Sequence, residues 1–348
     1  MPKRSSTPSR RQTVLAKNQP RPTDGGERGI QYPMTGHYLS AALLHLLRGP
    51  LYASILLCFM FRPYVFPALV DAFRDVDLSR LPSWLPVGEH TTARETFFFL
   101  VMAMIAHTGQ YFVVNSLFQL CDNYSLFGKY KIARTDAIIP KKSLIVKTIL
   151  EAIPDHFIIQ PIALWLLFTY ITTFPRVFGP EGPVPPMTFQ QTFGHFFMCQ
   201  LFNETLFYFV HRALHVPFLY RTIHKKHHEY VGSIGFAAEY AHPLEHLFAG
   251  KIPTLAYAAL NSANVGVDLT LVWILWRSWE SYEAHCGYSF DRCLPSYLGL
   301  LYADQAKFHD WHHTHKGNFG HLWIDYPLGT MDSWAVELAQ QNKPHRRG

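Results

Sequence analysis

His211–Glu229 reads HRALHVPFLYRTIHKKHHE and carries five histidines in nineteen residues, in two groups of different spacing. His211 and His215 stand four apart, whereas His224, His227 and His228 follow an i, i+3, i+4 pattern. Residues three and four apart share a helix face, so the spacing predicts helical segments that each present their imidazoles in one direction. The second spacing recurs at residues 309–313 as HDWHH, giving His309, His312 and His313. Three groups of this kind converging on one place would make a polynuclear metal site. An isolated His pair on a helix is ordinarily solvated surface. The recurrence of the triplet, interleaved with aromatics rather than set in a low-complexity tract, argues against that reading.

The metal and its environment can be bounded from the same residues. Neutral imidazole binds Fe, Zn, Cu or Ni, and no paired thiolates accompany these histidines. Eight imidazoles exceed the four ligands of one tetrahedral zinc and suit two metals with open positions. The Glu-x-x-His pairs of soluble di-iron bundles are missing near the clusters, as is the His-Glu-x-x-His of zinc proteases. Metal-bound histidines commonly donate their second N–H to a carboxylate. Asp310, next to His309, is the preferred candidate for that role, with Glu204, two helical turns before His211, and Glu239, Glu280 and Glu283 beside it.

Composition places this site in a membrane protein. Of 348 residues, 49% are hydrophobic and 15% aromatic, while only 16% are charged, well under the quarter usual in soluble domains. The formal charge of +6 is spread over segments that flank apolar runs, which suits orientation in a bilayer and argues against a nucleic-acid partner. Five cysteines without C-x-x-C pairing make a disulfide framework unlikely and point to a reducing compartment.

Residues 1–36 hold seven Lys/Arg against Asp24 and Glu27 and read as a disordered basic tail. Four apolar stretches follow, at about 38–61, 96–121, 157–174 and 188–210, each near the roughly 20 residues that a spanning helix needs. His107, Gln110, Gln160 and Glu204 sit inside them and are expected to face a bundle interior or cavity. Loop 122–147 carries six basic residues against two acids, whereas loop 62–95 carries four against five. With the basic tail inside, the positive-inside rule gives in, out, in, out, in, and the chain returns to the cytosolic side where the histidines begin. Residues 247–279 are moderately apolar and read either as a short hairpin dipping into the membrane or as an amphipathic pair lying on it. The expected fold class is therefore all-α: a polytopic helical bundle of about four transmembrane helices with a cytosolic histidine-rich di-metal cap. Its segments are a tail at 1–36, a membrane region at 37–187, a catalytic domain at 188–335 and a polar tail at 336–348.

HRALH, HKKHH and HDWHH together resemble the three histidine boxes, H-x(3,4)-H, H-x-x-H-H and H-x-x-H-H, of the fatty acid hydroxylase/sterol desaturase superfamily. The resemblance covers about residues 120–335. FAAEYAHPLEHLFAG and SYEAHCGY are similar to segments of the C-4 methylsterol oxidase branch, although Cys286 stands where Ser is usual and His246 is a departure. The resemblance implies that His242 and His285 join the eight box histidines as ligands, and that the metal is a di-iron pair, with zinc an alternative occupant. It implies an O2-dependent oxidation of a membrane lipid, a sterol C-4 methyl group in the first instance. It also implies electrons from cytochrome b5 and its NAD(P)H-dependent reductase, and an endoplasmic reticulum location. Fatty acyl or sphingoid-base hydroxylation and sterol C-5 desaturation share the boxes. A non-enzymatic metal-binding membrane protein is the alternative from another class. His246, His315 and His321 are polar residues whose involvement the spacing leaves open.

Overall fold

A computed structural model describes residues 36–80, 92–132, 139–178, 187–290, 293–297, 303–315, 317–331 and 334. The polar C-terminal tail, and all but the last residue of the basic N-terminal tail, lie outside them. The described residues are helical apart from loops and one isolated bridge, Lys131 to Tyr288, in agreement with the all-α expectation.

Among the described residues, three helices are long and apolar enough to cross a membrane: Leu46–Arg74, Ala93–Asn123 and Lys142–Tyr170. We number them α1, which begins at Gly36, α2 and α3. Each contains a π-helical stretch: Leu57–Val65, Ile105–Gly109 and Asp155–Ile159. One extra residue per turn rotates the face below the stretch against the face above it, and such stretches gather at functional sites. Phe59, Ile105, Val113 and Ile158 stand exposed on these helices, as lipid-facing side chains do.

The fourth expected span is helix α4, Phe189–Leu214, opened by a capping box in which Thr188 and Gln191 satisfy each other's amides. At 26 residues it is roughly 39 Å long, enough to cross, but its buried polar row of Gln200, Asn203 and Glu204 keeps it from reading as a span by composition. Packing nevertheless runs it antiparallel to α1. Arg62 donates to Thr192 near one end. Toward the other end Gly49 packs closely on Gln200, where an added Cβ would meet Gln200 Oε1 at 2.8 Å and force that side chain to shift.

α5 (Pro217–Thr222) and two 3-10 turns, His224–Glu229 and Gly235–Glu239, follow. The chain then enters a helical hairpin. Its first arm, α6, runs from Pro243 through a π-helical stretch at His246–Lys251 to Leu260. Its second arm is α7, Val267–His285. Gly266, at φ +78°, makes the turn leading into α7. The hairpin is packed into the bundle rather than laid on it. At the far end Asp268 pairs with Arg62 of α1, and Ser262 Oγ accepts from the Thr173 amide. Trp273 packs with Leu57, Phe196 and Leu269. A second core joins Phe98, Phe99, Leu164 and Phe168 to Leu271 and Ile274, so both cores draw on residues from either side of position 187. α7 thus carries His285 back to the end where α4 delivers His211. α8 (Ala303–His315) and α9 (Leu322–Asp325) close that end.

Candidate metal centre

The box histidines are brought together, and His285 with them, but they are not grouped as their spacing suggests. His211, His215, His224, His228 and His312 form one group; His227, His285, His309 and His313 form a second, with donor atoms in each group lying within 4.8 Å of one another. Eight of these nine residues are buried and His215 is half-buried. The middle box is a 3-10 turn rather than the expected α-helical face. In a 3-10 turn residues i and i+3 eclipse about 6 Å apart along the axis. His224 and His227 accordingly stack with centroids 5.6 Å apart and enter neighbouring groups. On α8 the rings of His312 and His313 diverge by about 100°, one residue's rotation, so HDWHH is also shared between groups.

The ring nitrogens divide into an inner and an outer set. Inner Nε2 atoms face one another. His224 Nε2 lies 3.1 Å from that of His211, 3.0 Å from that of His215 and 3.0 Å from that of His228. His309 Nε2 lies 2.8 Å from His285 and 3.1 Å from His313. The outer Nδ1–H groups donate to backbone carbonyls: His211 to Phe319 at 2.6 Å, His312 to Gly317 at 2.6 Å, His313 to Tyr230 at 2.9 Å and His285 to Ser281 at 2.7 Å. His227 donates to Tyr240 at 3.3 Å. Donation through Nδ1 fixes the tautomer and turns the Nε2 lone pair inward. Lone pairs about 3 Å apart repel unless a cation lies among them. Nitrogens at right angles around one ion at the usual ~2.0–2.1 Å stand roughly 3.0 Å apart. His312 Nε2 is buried without a hydrogen-bond partner. The donor set therefore fits two metal ions.

Burial penalises the imidazolium form. It holds His227 down at about 4 and His285 at about 3, and pushes His224, His228, His309, His312 and His313 further below the usual range, helped in these five by neighbouring imidazoles. Neutral imidazoles are the form that binds metal.

The expected accessory residues fare differently. The structure leaves His242 outside both groups; its Nδ1 accepts from the Leu244 amide at 3.2 Å and caps α6. The physical reason is Pro243, which starts the helix one residue later and leaves His242 in the capping position. Glu204 is buried but accepts from Gln200 and Trp323, while the Nδ1–H of its expected partner His211 goes to the Phe319 carbonyl. Asp310 accepts from the Ser233 amide at 3.4 Å, tying α8 to the loop after the middle box. Glu280 accepts from Trp276 at 2.9 Å. Glu239 faces His107, His156 and Tyr282 instead of either group. His315 stacks on Trp311 at the surface, and His321 lies 4.0 Å from Glu204.

The carboxylate that sequence reasoning missed is Glu245, whose Oε1 takes the Nδ1–H of His224 at 2.7 Å. Burial raises its own pKa well above the carboxylate range. It is the last residue of the EYAHPLE segment, so the signal was there, but it had been read through His242.

A cavity of about 810 Å³ leads from these groups into the bundle. His211, His227, His285 and His309 form its head; Leu164, Leu167, Tyr170, Leu255 and Leu260 line the body between α3 and the hairpin. Its size lies within the ~300–1,000 Å³ of small-molecule sites. The site is thus a pair of histidine groups able to hold metal at one end of a membrane helical bundle, open to an apolar cavity.

The comparisons agree with this class. Residues 196–330 match the fatty acid hydroxylase family. A methylsterol monooxygenase of Arabidopsis thaliana is 30% identical over 235 residues, 66% of this chain and 84% of the relative. A putative methylsterol monooxygenase of Dictyostelium discoideum is 31% identical, over 69% of this chain and 86% of the relative. A very-long-chain aldehyde decarbonylase of Oryza sativa is also 31% identical, over 69% and 87%. No solved structure matches the chain. The chain belongs to the fatty acid hydroxylase family and is an O2-dependent membrane oxidoreductase of lipids, close in sequence to methylsterol monooxygenases.

Proposed function

We propose that the chain is a di-iron monooxygenase that oxidises the C-4 methyl group of a sterol. The observation that carries the reading is the set of nine inward-facing imidazoles, in two groups, at the head of an apolar cavity. His211, His215, His224, His228 and His312 would hold one iron, and His227, His285, His309 and His313 the other. When bound, the pair supplies reduction of O2 by two electrons and insertion of one oxygen into a C–H bond, the second leaving as water. The chain's own residues do the rest. Backbone carbonyls and Glu245 fix the imidazoles as neutral donors, and the apolar walls exclude water from the head of the cavity. Leu164, Leu167, Leu255 and Ala259 hold a rigid hydrocarbon body with one end against the histidines. Asp310, Glu204 and Glu239 act on the site through position: Asp310 by fixing α8, Glu204 by packing α4 against α9, and Glu239 from the cavity wall.

The sequence carries no haem-attachment motif and no GxGxxG fingerprint, so the electrons come from a partner, and the family resemblance makes that partner cytochrome b5 with its NAD(P)H-dependent reductase. The residues near the metal groups face the cytosol of an endoplasmic reticulum membrane, in keeping with the basic loop 122–147 at that end. Lys226 of the middle box pairs at 2.8 Å with Glu151 in the first turns after that loop, which supports one shared end. Zinc in the purified protein would be a substitute occupant.

The aldehyde decarbonylase relatives favour a second reading, decarbonylation of a long-chain aldehyde, for which a narrower and more flexible occupant would fill the same cavity. Fatty acyl and sphingoid-base substrates fall in that class of shape. The test is turnover of the full-length chain in lipid nanodiscs with iron, cytochrome b5, reductase and NADPH, offered a 4-methylsterol or a long-chain aldehyde. Oxygen-dependent appearance of the 4-hydroxymethyl or 4-carboxysterol is expected, and Ala259→Phe, which fills the cavity body, should remove it without changing the iron content. Conversion of the aldehyde alone would replace the sterol reading.

A further inference from the structure

A second polar assembly lies in the cavity wall, apart from the two histidine groups. His107 comes from the π-helical stretch of α2, His156 from that of α3, and Glu239 from the 3-10 turn Gly235–Glu239; their ligand atoms lie within 4.8 Å of one another. His107 Nε2 is 3.4 Å from Glu239 Oε1, and His156 Nε2 is 3.1 Å from Oε2. Proximity is not bonding here. His156 is 1% exposed and its Nε2 has no hydrogen-bond partner, because the carboxylate oxygen lies off the line of the ring nitrogen.

The outer nitrogens explain what that inner atom is. Thr108 Oγ1 lies 3.0 Å from His156 Nδ1, and in the tautomer protonated at Nδ1 it accepts that proton. His156 Nε2 is then a bare lone pair directed at an anion. At His107 the Gln160 amide lies 3.1 Å from Nδ1, and the Gln160 Oε1 atom is buried without a partner. Exchanging the two ends of that amide, which are indistinguishable in shape, makes Oε1 the acceptor of His107 Nδ1–H and leaves His107 Nε2 bare as well. Two lone pairs and a carboxylate then face one point, each outer nitrogen held by an acceptor as in a built metal site. Tyr282 steadies the carboxylate by donating to Oε1 at 2.6 Å. The groups around it are Asp155 and Lys251, which pair at 2.9 Å, and the imidazole of His246, whose Nδ1 lies 3.6 Å from Asp155; apart from that imidazole the net charge at the point is the single negative charge of Glu239.

The geometry points to a third metal site, in which His107, His156 and Glu239 bind one divalent d-block cation, zinc by preference, in the wall of the cavity. Two imidazoles and a carboxylate leave at least one open position. His107 and Glu239 line the cavity, so that position is offered to an oxygen of whatever occupies it. This site would hold its metal whichever reaction the two histidine groups carry out.

The experiment counts metal. Full-length chain in nanodiscs is stripped with chelator, equilibrated with buffered Zn2+ and measured by elemental analysis, with Co2+ absorption as a second readout. Wild type is expected to hold three equivalents. Glu239→Gln and His107→Ala should each hold one fewer and lose one Co2+ band set, while His312→Ala keeps the Glu239-dependent equivalent. Two equivalents in wild type, or a Glu239→Gln count equal to wild type, would overturn the site. Should His107→Ala lose all its metal, it has unfolded, and the near-isosteric Glu239→Gln variant decides.

Discussion

His224 is the most constrained residue of the first histidine group. Its Nε2 approaches three other imidazoles, and its Nδ1–H is spent on Glu245. A carboxylate in this place raises the basicity of the ring and fixes its rotation, and removal of such a partner typically costs about 10–100-fold in metal affinity. Glu245→Gln is therefore expected to weaken metal binding by about that factor, read by chelator competition. His242→Ala, three residues away, should leave affinity unchanged, since that ring caps a helix. A loss of one metal equivalent in His242→Ala would return it to the ligand set. At this scale the sequence showed which residue type binds metal and where it is dense. It could not show Glu245, because its partner is 21 positions away and the two meet only when the middle box and α6 pack together.

Among elements, the hairpin α6–α7 does most to complete the site, since it delivers both Glu245 and His285. Its far end is held by the ion pair of Asp268 with Arg62, whose side chains are only 11% and 9% exposed. Removing one partner of a buried pair leaves an uncompensated charge and commonly costs ~3–5 kcal/mol. Asp268→Ala should lower stability by that order, measured as the thermal midpoint in detergent, whereas Asp268→Leu combined with Arg62→Leu should recover most of it. An unchanged midpoint for Asp268→Ala would mean that the hairpin is held by apolar packing alone. The apolar character of residues 247–279 predicted a hairpin dipping into the membrane or an amphipathic pair lying on it. Whether the pair enters the bundle depended on Arg62, 206 residues distant from its partner.

For the molecule as a whole, folding must bury nine imidazoles beside one another. The ordinary His value is 6.5, while in the fold His227 titrates at about 4 and His285 at about 3. Between those values and 6.5 the unfolded chain binds more protons than the folded chain, so stability falls as pH is lowered through that window. The metal-free protein should keep a constant thermal midpoint above about pH 7 and lose stability steadily between about pH 6.5 and 4. A midpoint that rises on acidification would contradict neutral, buried imidazoles. Bound metal should blunt the fall near neutrality and then fail steeply, as protons compete for the ligands.

By itself the sequence determined that the chain is a helical membrane protein with histidine clusters able to hold metal, because both conclusions rest on local quantities: apolar run length, loop charge and three spacings. The tertiary structure alone decided how HRALHVPFLYRTIHKKHHE is used. Spacing gathered His224, His227 and His228 onto one face; the 3-10 turn sends His227 to the second group and keeps His224 and His228 in the first. Turn type is set by what packs around it, and the Phe319 carbonyl that aims His211 lies 108 positions away, as the Tyr230 carbonyl that aims His313 lies 83 away. The same holds for His107, which reads as an isolated polar residue in an apolar run, and for His156, which stands just before one, until α2 and α3 bring them to Glu239.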